Sequence, residues 1–314
     1  MKRLRLAVIC ILVISAASLF VGCARIVPEE PSQMSLYATV YPVYALARMI
    51  GDNVPGLSIN CIMQPQDECI RSYVISDWDL YILSKSADCL LTGGRGLELA
   101  SQQQLQALAE QIPVAEALYG LDLYEDDFED EDSHFSGPNP HLYMSIDGSI
   151  EMLHSLCSIM SVIDVHRAEI YAENEATIQL EMEELKAEIS QLTAPCRGIP
   201  AAVLNEALIY PAAEYGMDTV AIVHRESTEE LSGNALDLCL AQLRDSGAKV
   251  VLIEKQAPQS LIDVLSKEGY SVACLDIMST CKASDEKPEY LDVLRNNARL
   301  AALSCTNITS GEHQ

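Results

Sequence analysis

The sequence predicts an α/β protein: two α/β lobes with mostly parallel sheets, joined by one long rigid backbone helix, with a ligand cleft between the lobes. Three observations carry that prediction. A chain of 314 residues, 49% of them hydrophobic, exceeds what one core usually serves and points to two folded units. Short apolar runs alternate with segments of helical spacing in both halves, the pattern of a parallel sheet with crossover helices. Between the halves runs a helical segment without glycine or proline, a semi-rigid spacer.

The elements follow in order. "MKRLRLAVICILVISAASLFVGC" opens with Lys2, Arg3 and Arg5, continues with an apolar run too short to span a bilayer comfortably, and ends in small residues before Cys23. Residues 1–22 read as a signal peptide, with an uncleaved membrane helix as the alternative of nearly the same topology. "LFVGC" is similar to a bacterial lipobox, apart from Phe20, so the resemblance implies that Cys23 is lipidated. Residues 23–34 are then a lipidated linker. "SLYATV" reads as a strand, "YPVYALARMIG" as a helix closed by glycine, and "GLSINCIM" as a second strand. "SDWDLYILSKS" is a helix with Ser76 or Asp77 as its cap, "ADCLLTGG" a third strand, and "LELASQQQLQALAEQ" a further helix. These belong to a first lobe at 35–165, interrupted by an acidic loop at 125–136 that cannot bury itself. Helix is expected from about Asp147 to Thr193, with 166–195 as the connecting helix. The second lobe, 196–305, repeats the alternation with strands "GIPAAVLN", "DTVAIV", "KVVLIE" and "YSVACLD", and 306–314 is a tail.

Composition narrows the partners. The formal net charge of -26 excludes nucleic acid, which would be repelled, and makes cations the natural counterpart. Loss of residues 1–22 removes three positive charges and no negative one, which takes the mature chain to -29. Of eleven cysteines, Cys10 leaves with the signal and Cys23 is taken by lipid; the remaining nine cannot all pair, and no CxxC spacing occurs. Cys89, Cys157 and Cys274 read as small buried hydrophobes. No P-loop, GxSxG, HExxH or GxGxxG stands in the required setting, and "TGGRG" lacks the Lys and Ser/Thr of a phosphate cradle, so no enzyme is expected.

"YATVYPVYALARMIG", "LSKSADCLLTGGRGLE", "NPHLYMS", "NEALIYPAAEYGM", "KVVLIEKQAP", "CLDIMST" and "YLDVLRNNARLAAL" together resemble, in order, the zinc- and manganese-binding lipoproteins that feed metal ABC transporters. The resemblance runs from about Ser35 to Ser304. It implies two lobes bridged by one helix and a metal held in the cleft, commonly by three histidines and an aspartate. The first histidine position falls on Arg71 or, in a shifted alignment, Ile70. The second is matched by His141, the third holds Asn205, and the aspartate is matched by Asp276.

Three readings follow. The site is rebuilt with Asp67, Glu68 or Cys69 from one lobe and Glu206 beside Asn205 from the other; the cleft takes a carboxylate on Arg71; or Arg71 pairs with Asp276 or Glu206 in a salt bridge that replaces the ion. The acidic loop with His134 suits hard cations weakly and otherwise reads as a solvated face. His154, His166 and His224 read as surface or packing residues. The leading expectation is a monomeric, extracytoplasmic, lipid-anchored binding protein that captures zinc or manganese at His141 and Asp276, helped by Glu206, Asn205 or Cys69, and delivers it to an ABC permease. The alternatives are a surface adhesion lipoprotein that kept the scaffold, and a binder of a small organic acid.

Overall fold

A computed structural model describes residues 33–65, 69–125, 137–225, 231–284 and 288–310. The signal peptide, Cys23, Asp67, Glu68, His134, most of the acidic run and the last four residues lie outside the described residues.

Two four-stranded sheets form, every pairing in them parallel. The first holds β1 (Met34–Ala38), β2 (Leu57–Cys61), β3 (Cys89–Thr92) and β4 (Val114–Glu116) in the order β2-β1-β3-β4. The second holds β5 (Pro200–Val203), β6 (Asp218–Ile222), β7 (Val250–Glu254) and β8 (Ser271–Leu275) in the order β6-β5-β7-β8. The opening strand of each lobe is therefore central, and the chain reverses its direction of growth beside it. That switch point opens a crevice at the carboxyl ends of the strands.

Period-two patterning assigns the faces. On β5, Ala201 and Val203 join the large central core while Ala202 and Leu204 join an outer one; on β7, Val250 and Leu252 separate from Val251 and Ile253 in the same way. On β3, Cys89 and Leu91 face the centre and Leu90 faces outward to Leu83 and Leu108. The outer cover of the first sheet comes from α2 (Asp77–Ser86) and α3 (Gln102–Ala109), and that of the second from α7 (Gly233–Ser246) and α8 (Gln259–Lys267). Ser76 caps α2 by accepting from the Asp79 amide at 3.1 Å, one of the two caps expected there.

The helical run expected over Asp147 to Thr193 is two helices, α4 (Ile146–Ile163) and α5 (Ala168–Leu192), packed on each other. No glycine or proline breaks it. Instead Arg167 donates to Asp164 at 2.6 Å and to the Pro55 carbonyl at 2.9 Å, while the Tyr171 hydroxyl donates to Asp164 at 2.9 Å. This buried knot turns the chain. α4 is apolar and long enough to cross a membrane, but Met152, Leu153, Leu156 and Met160 bury it in the core. The 25-residue α5, about 37 Å long at 1.5 Å per residue, is the strut between the lobes. Its Asn174 donates to the Ile50 carbonyl at the end of α1 (Tyr41–Ile50) at 2.8 Å, and its Glu188 accepts from Arg295 of the last helix (Tyr290–Ser310) at 2.9 Å. One continuous core runs from Leu36 through Met182 and Leu185 of α5 to Val203 and Leu294. Such a shared core favours small lobe displacements over wide hinge rotation.

Candidate functional site

Four segments, two from each lobe, feed the interlobe cleft. From the first lobe come Arg71, on a short 3-10 turn at Ile70–Ser72, and His141, at the head of another at Leu142–Met144. From the second come Glu206, three residues past β5, and Asp276, the residue after β8. Arg71 meets the other lobe through an ion pair: its Nη1 donates to Glu206 Oε1 at 2.7 Å. The Arg71 Nη2 lies against the "TGGRG" turn, where a Cβ on Gly96 (φ +88°) would stand only 3.9 Å away. His141 Nδ1 is 3.8 Å from the same Glu206 oxygen. The cleft is shut around these groups, with the His141 and Glu206 side chains 1% and 5% exposed.

His141 is held by Asn139, which sequence reasoning missed. The Asn139 Oδ1 accepts from the His141 backbone amide at 3.0 Å and faces Nδ1 at 2.9 Å, and Asn139 Nδ2 donates to the Glu206 carbonyl at 2.9 Å. Asn139 is itself fixed by the Tyr210 hydroxyl, which donates to its carbonyl at 2.9 Å. An oxygen acceptor at Nδ1 selects the Nδ1–H tautomer and leaves Nε2 as a lone pair without a hydrogen-bond partner among the described residues. Burial, with Arg71 adding to it, lowers the imidazole pKa to about 3, so the ring is neutral at ordinary pH. The contact with Glu206 is accordingly no ion pair.

The other expected residues divide. Asp276 is engaged within its own lobe: its Oδ1 accepts from the Met278 amide at 2.8 Å and its Oδ2 from Lys255, and Asn297 clamps its backbone from both sides at 2.8 and 2.9 Å. Asn205 is turned to its own segment: its Oδ1 accepts from the Ala207 amide at 3.0 Å and its side chain bonds the buried Glu254. Cys69 is buried at the start of the turn that carries Arg71. Tyr143, in the same lobe, feels its presence: burial pushes that phenol well above its usual pKa, with Cys69, Tyr290, Glu206 and Asp276 adding to the rise. Among the described residues no three His, Cys, Asp or Glu side chains converge as a metal cage. What converges is one neutral imidazole, one carboxylate and one guanidinium.

His154 pairs with Glu175 on the surface, in keeping with the reading of it as a surface residue. Among the described residues no disulfide joins any of Cys61, Cys69, Cys89, Cys157, Cys196, Cys239, Cys274, Cys281 and Cys305.

Comparison with known proteins gives the family and the fold. The family described as "Zinc-uptake complex component A periplasmic" (ZnuA) matches residues 36–302. The zinc-binding protein AdcA of Streptococcus pyogenes serotype M18 (strain MGAS8232) is 23% identical over 185 residues, which is 58% of this chain and 36% of that protein. The chain thus spans about a third of that relative's length. FpvC of Pseudomonas aeruginosa, solved in complex with Mn2+, superposes with a TM-score of 0.74 at 18% identity, covering 88% of this chain and 100% of its own. The laminin-binding protein Lmb of Streptococcus agalactiae, described as bifunctional with adhesin and metal transporting activity, gives 0.68 at 18% identity, covering 87% and 99%. At these identities the superpositions establish the fold, two parallel-sheet lobes about a long helix, as the sequence predicts. With its family match spanning nearly all of both lobes, the chain belongs to the zinc-uptake complex component A (ZnuA) family of zinc- and manganese-binding proteins.

Proposed function

We propose that the chain is the extracytoplasmic solute-binding component of an ABC-type uptake system for a divalent metal, zinc or manganese, tethered to the membrane by lipid on Cys23. Its action is capture: a cation bridging the lobes stabilises the closed form that a permease recognises. The observation that carries the reading is the approach of His141 and Glu206, from opposite lobes, to 3.8 Å at the carboxyl ends of the strands. A neutral imidazole that keeps a lone pair on Nε2, and a carboxylate from the other lobe, are donor types such a cation takes. Two ready donors make a thinner site than the four that zinc prefers, so capture here is weaker than a full cage would give.

Metal analysis of the purified full-length protein tests the reading. One transition metal per chain, lost in His141→Ala, is the expected result. A metal-free wild type that gains tight zinc binding only on Arg71→His plus Asn205→His would overturn it. A surface-adhesion role is the second reading, supported by the likeness to Lmb and by the exposed rings of Trp78 and Tyr81 on α2, 5.7 Å apart. An organic-acid guest has less support, because the Arg71 guanidinium already faces a carboxylate.

A further inference from the structure

We infer that Arg71 is an internal competitor for the cargo: its guanidinium holds the Glu206 carboxylate and closes the cleft, so a divalent cation enters by exchange with it. This rests on the capture reading above and adds the step that controls it. The pair joins the first lobe's turn at Ile70–Ser72 to the segment after β5, with both side chains nearly out of solvent at 9% and 5% exposure. Glu206 Oε1 is the atom shared by the guanidinium at 2.7 Å and the imidazole at 3.8 Å. A cation seated on His141 and that oxygen would lie a few ångströms from a second positive charge that cannot be shed, in surroundings where water screens little. The guanidinium and the metal therefore exclude each other at Glu206. In the closed cleft the pair also gives the buried carboxylate its counter-charge. Arg71 does not touch cargo in the loaded state; it sets how strongly a cation must bind in order to load.

Calorimetric titration of the full-length protein with Zn2+ and with Mn2+, together with amide hydrogen exchange of the metal-free forms, tests the inference. Arg71→Met is expected to bind at least tenfold more tightly than wild type. Arg71→Lys, which keeps the charge, stays within threefold of wild type and controls for lost bulk. In metal-free Arg71→Met, amides at 138–145 and 205–208 exchange faster because the brace between lobes is gone. Equal or weaker metal binding by Arg71→Met, when wild type does bind, overturns the exchange, as does an equal gain in Arg71→Lys. Unchanged amide exchange in Arg71→Met overturns the brace. Faster exchange with no metal bound by any variant overturns instead the capture reading of the preceding section, and leaves Arg71 as a structural clamp.

Discussion

The two lobes share one sheet order and one switch point, yet they handle a buried carboxylate at that point by opposite means. In the first lobe Glu98 accepts from the Thr39 hydroxyl, the Gly93 amide at 2.7 Å and the Gly94 amide at 3.0 Å, all neutral donors. Burial raises its pKa and these bonds pull it back. In the second lobe Glu254, at the end of β7, pairs with the buried guanidinium of Arg225 and takes a bond from Asn205. Burial again pushes the carboxyl up, and Arg225 is the largest influence opposing it. The cleft inverts this assignment: the first lobe supplies the cation Arg71 and a neutral imidazole, and the second supplies the anions Glu206 and Asp276. Topology was duplicated while charge was not, and that asymmetry gives the cleft its complementarity.

Removing a charged partner should cost more than disturbing a neutral cradle. The largest effect is expected for Arg225→Met, which leaves Glu254 buried without its counter-charge and should lower stability by about 3–5 kcal/mol. Glu98→Gln turns an amide NH2 toward donors that need an acceptor, and its cost should be about 1–3 kcal/mol. Urea denaturation of both variants ranks them, and a reversed order would break the comparison.

The smallest effect concerns Glu214, which joins the lobes by accepting from the Ile146 amide at 2.8 Å. Burial raises its pKa from 4.5 to about 7. The folded state therefore binds the proton more tightly than the unfolded one, so this stabilisation is full below pH 4.5 and is lost as pH rises through 7. A partly open side chain keeps only a fraction of what such a shift would carry, so Glu214→Gln should be more stable than wild type by about 1 kcal/mol at pH 8 and equal to it near pH 5. Thermal melts at the two pH values sharpen the contrast; equal gains at both would remove the titration from the account.

Much of this was legible in the sequence. The alternation of Val250, Val251, Leu252 and Ile253 within an unbroken apolar run fits a strand covered on both faces, and Ser76, one of two candidate caps, marked the start of α2. The break between α4 and α5 was hidden, because "IDVHRAE" contains no local breaker and the turn is imposed by a carbonyl at Pro55, 112 residues from Arg167. β4 was hidden as well, since three residues are too few to show a period. At the site, the motif "NPHLYMS" pointed to His141 but not to Asn139 as the group that orients it.

The sequence by itself determined the fold class and the alternation of strands and helices, and it singled out His141, Arg71, Glu206 and Asp276 as candidates. These are local matters of periodicity, capping and motif register. Tertiary structure alone decided that Arg71 takes Glu206 while Asp276 goes to Lys255, since both pairings were equally open along the chain. Residues 135 positions apart meet only when two sheets and a strut fix their distance, and at that range one ångström decides which charge is neutralised.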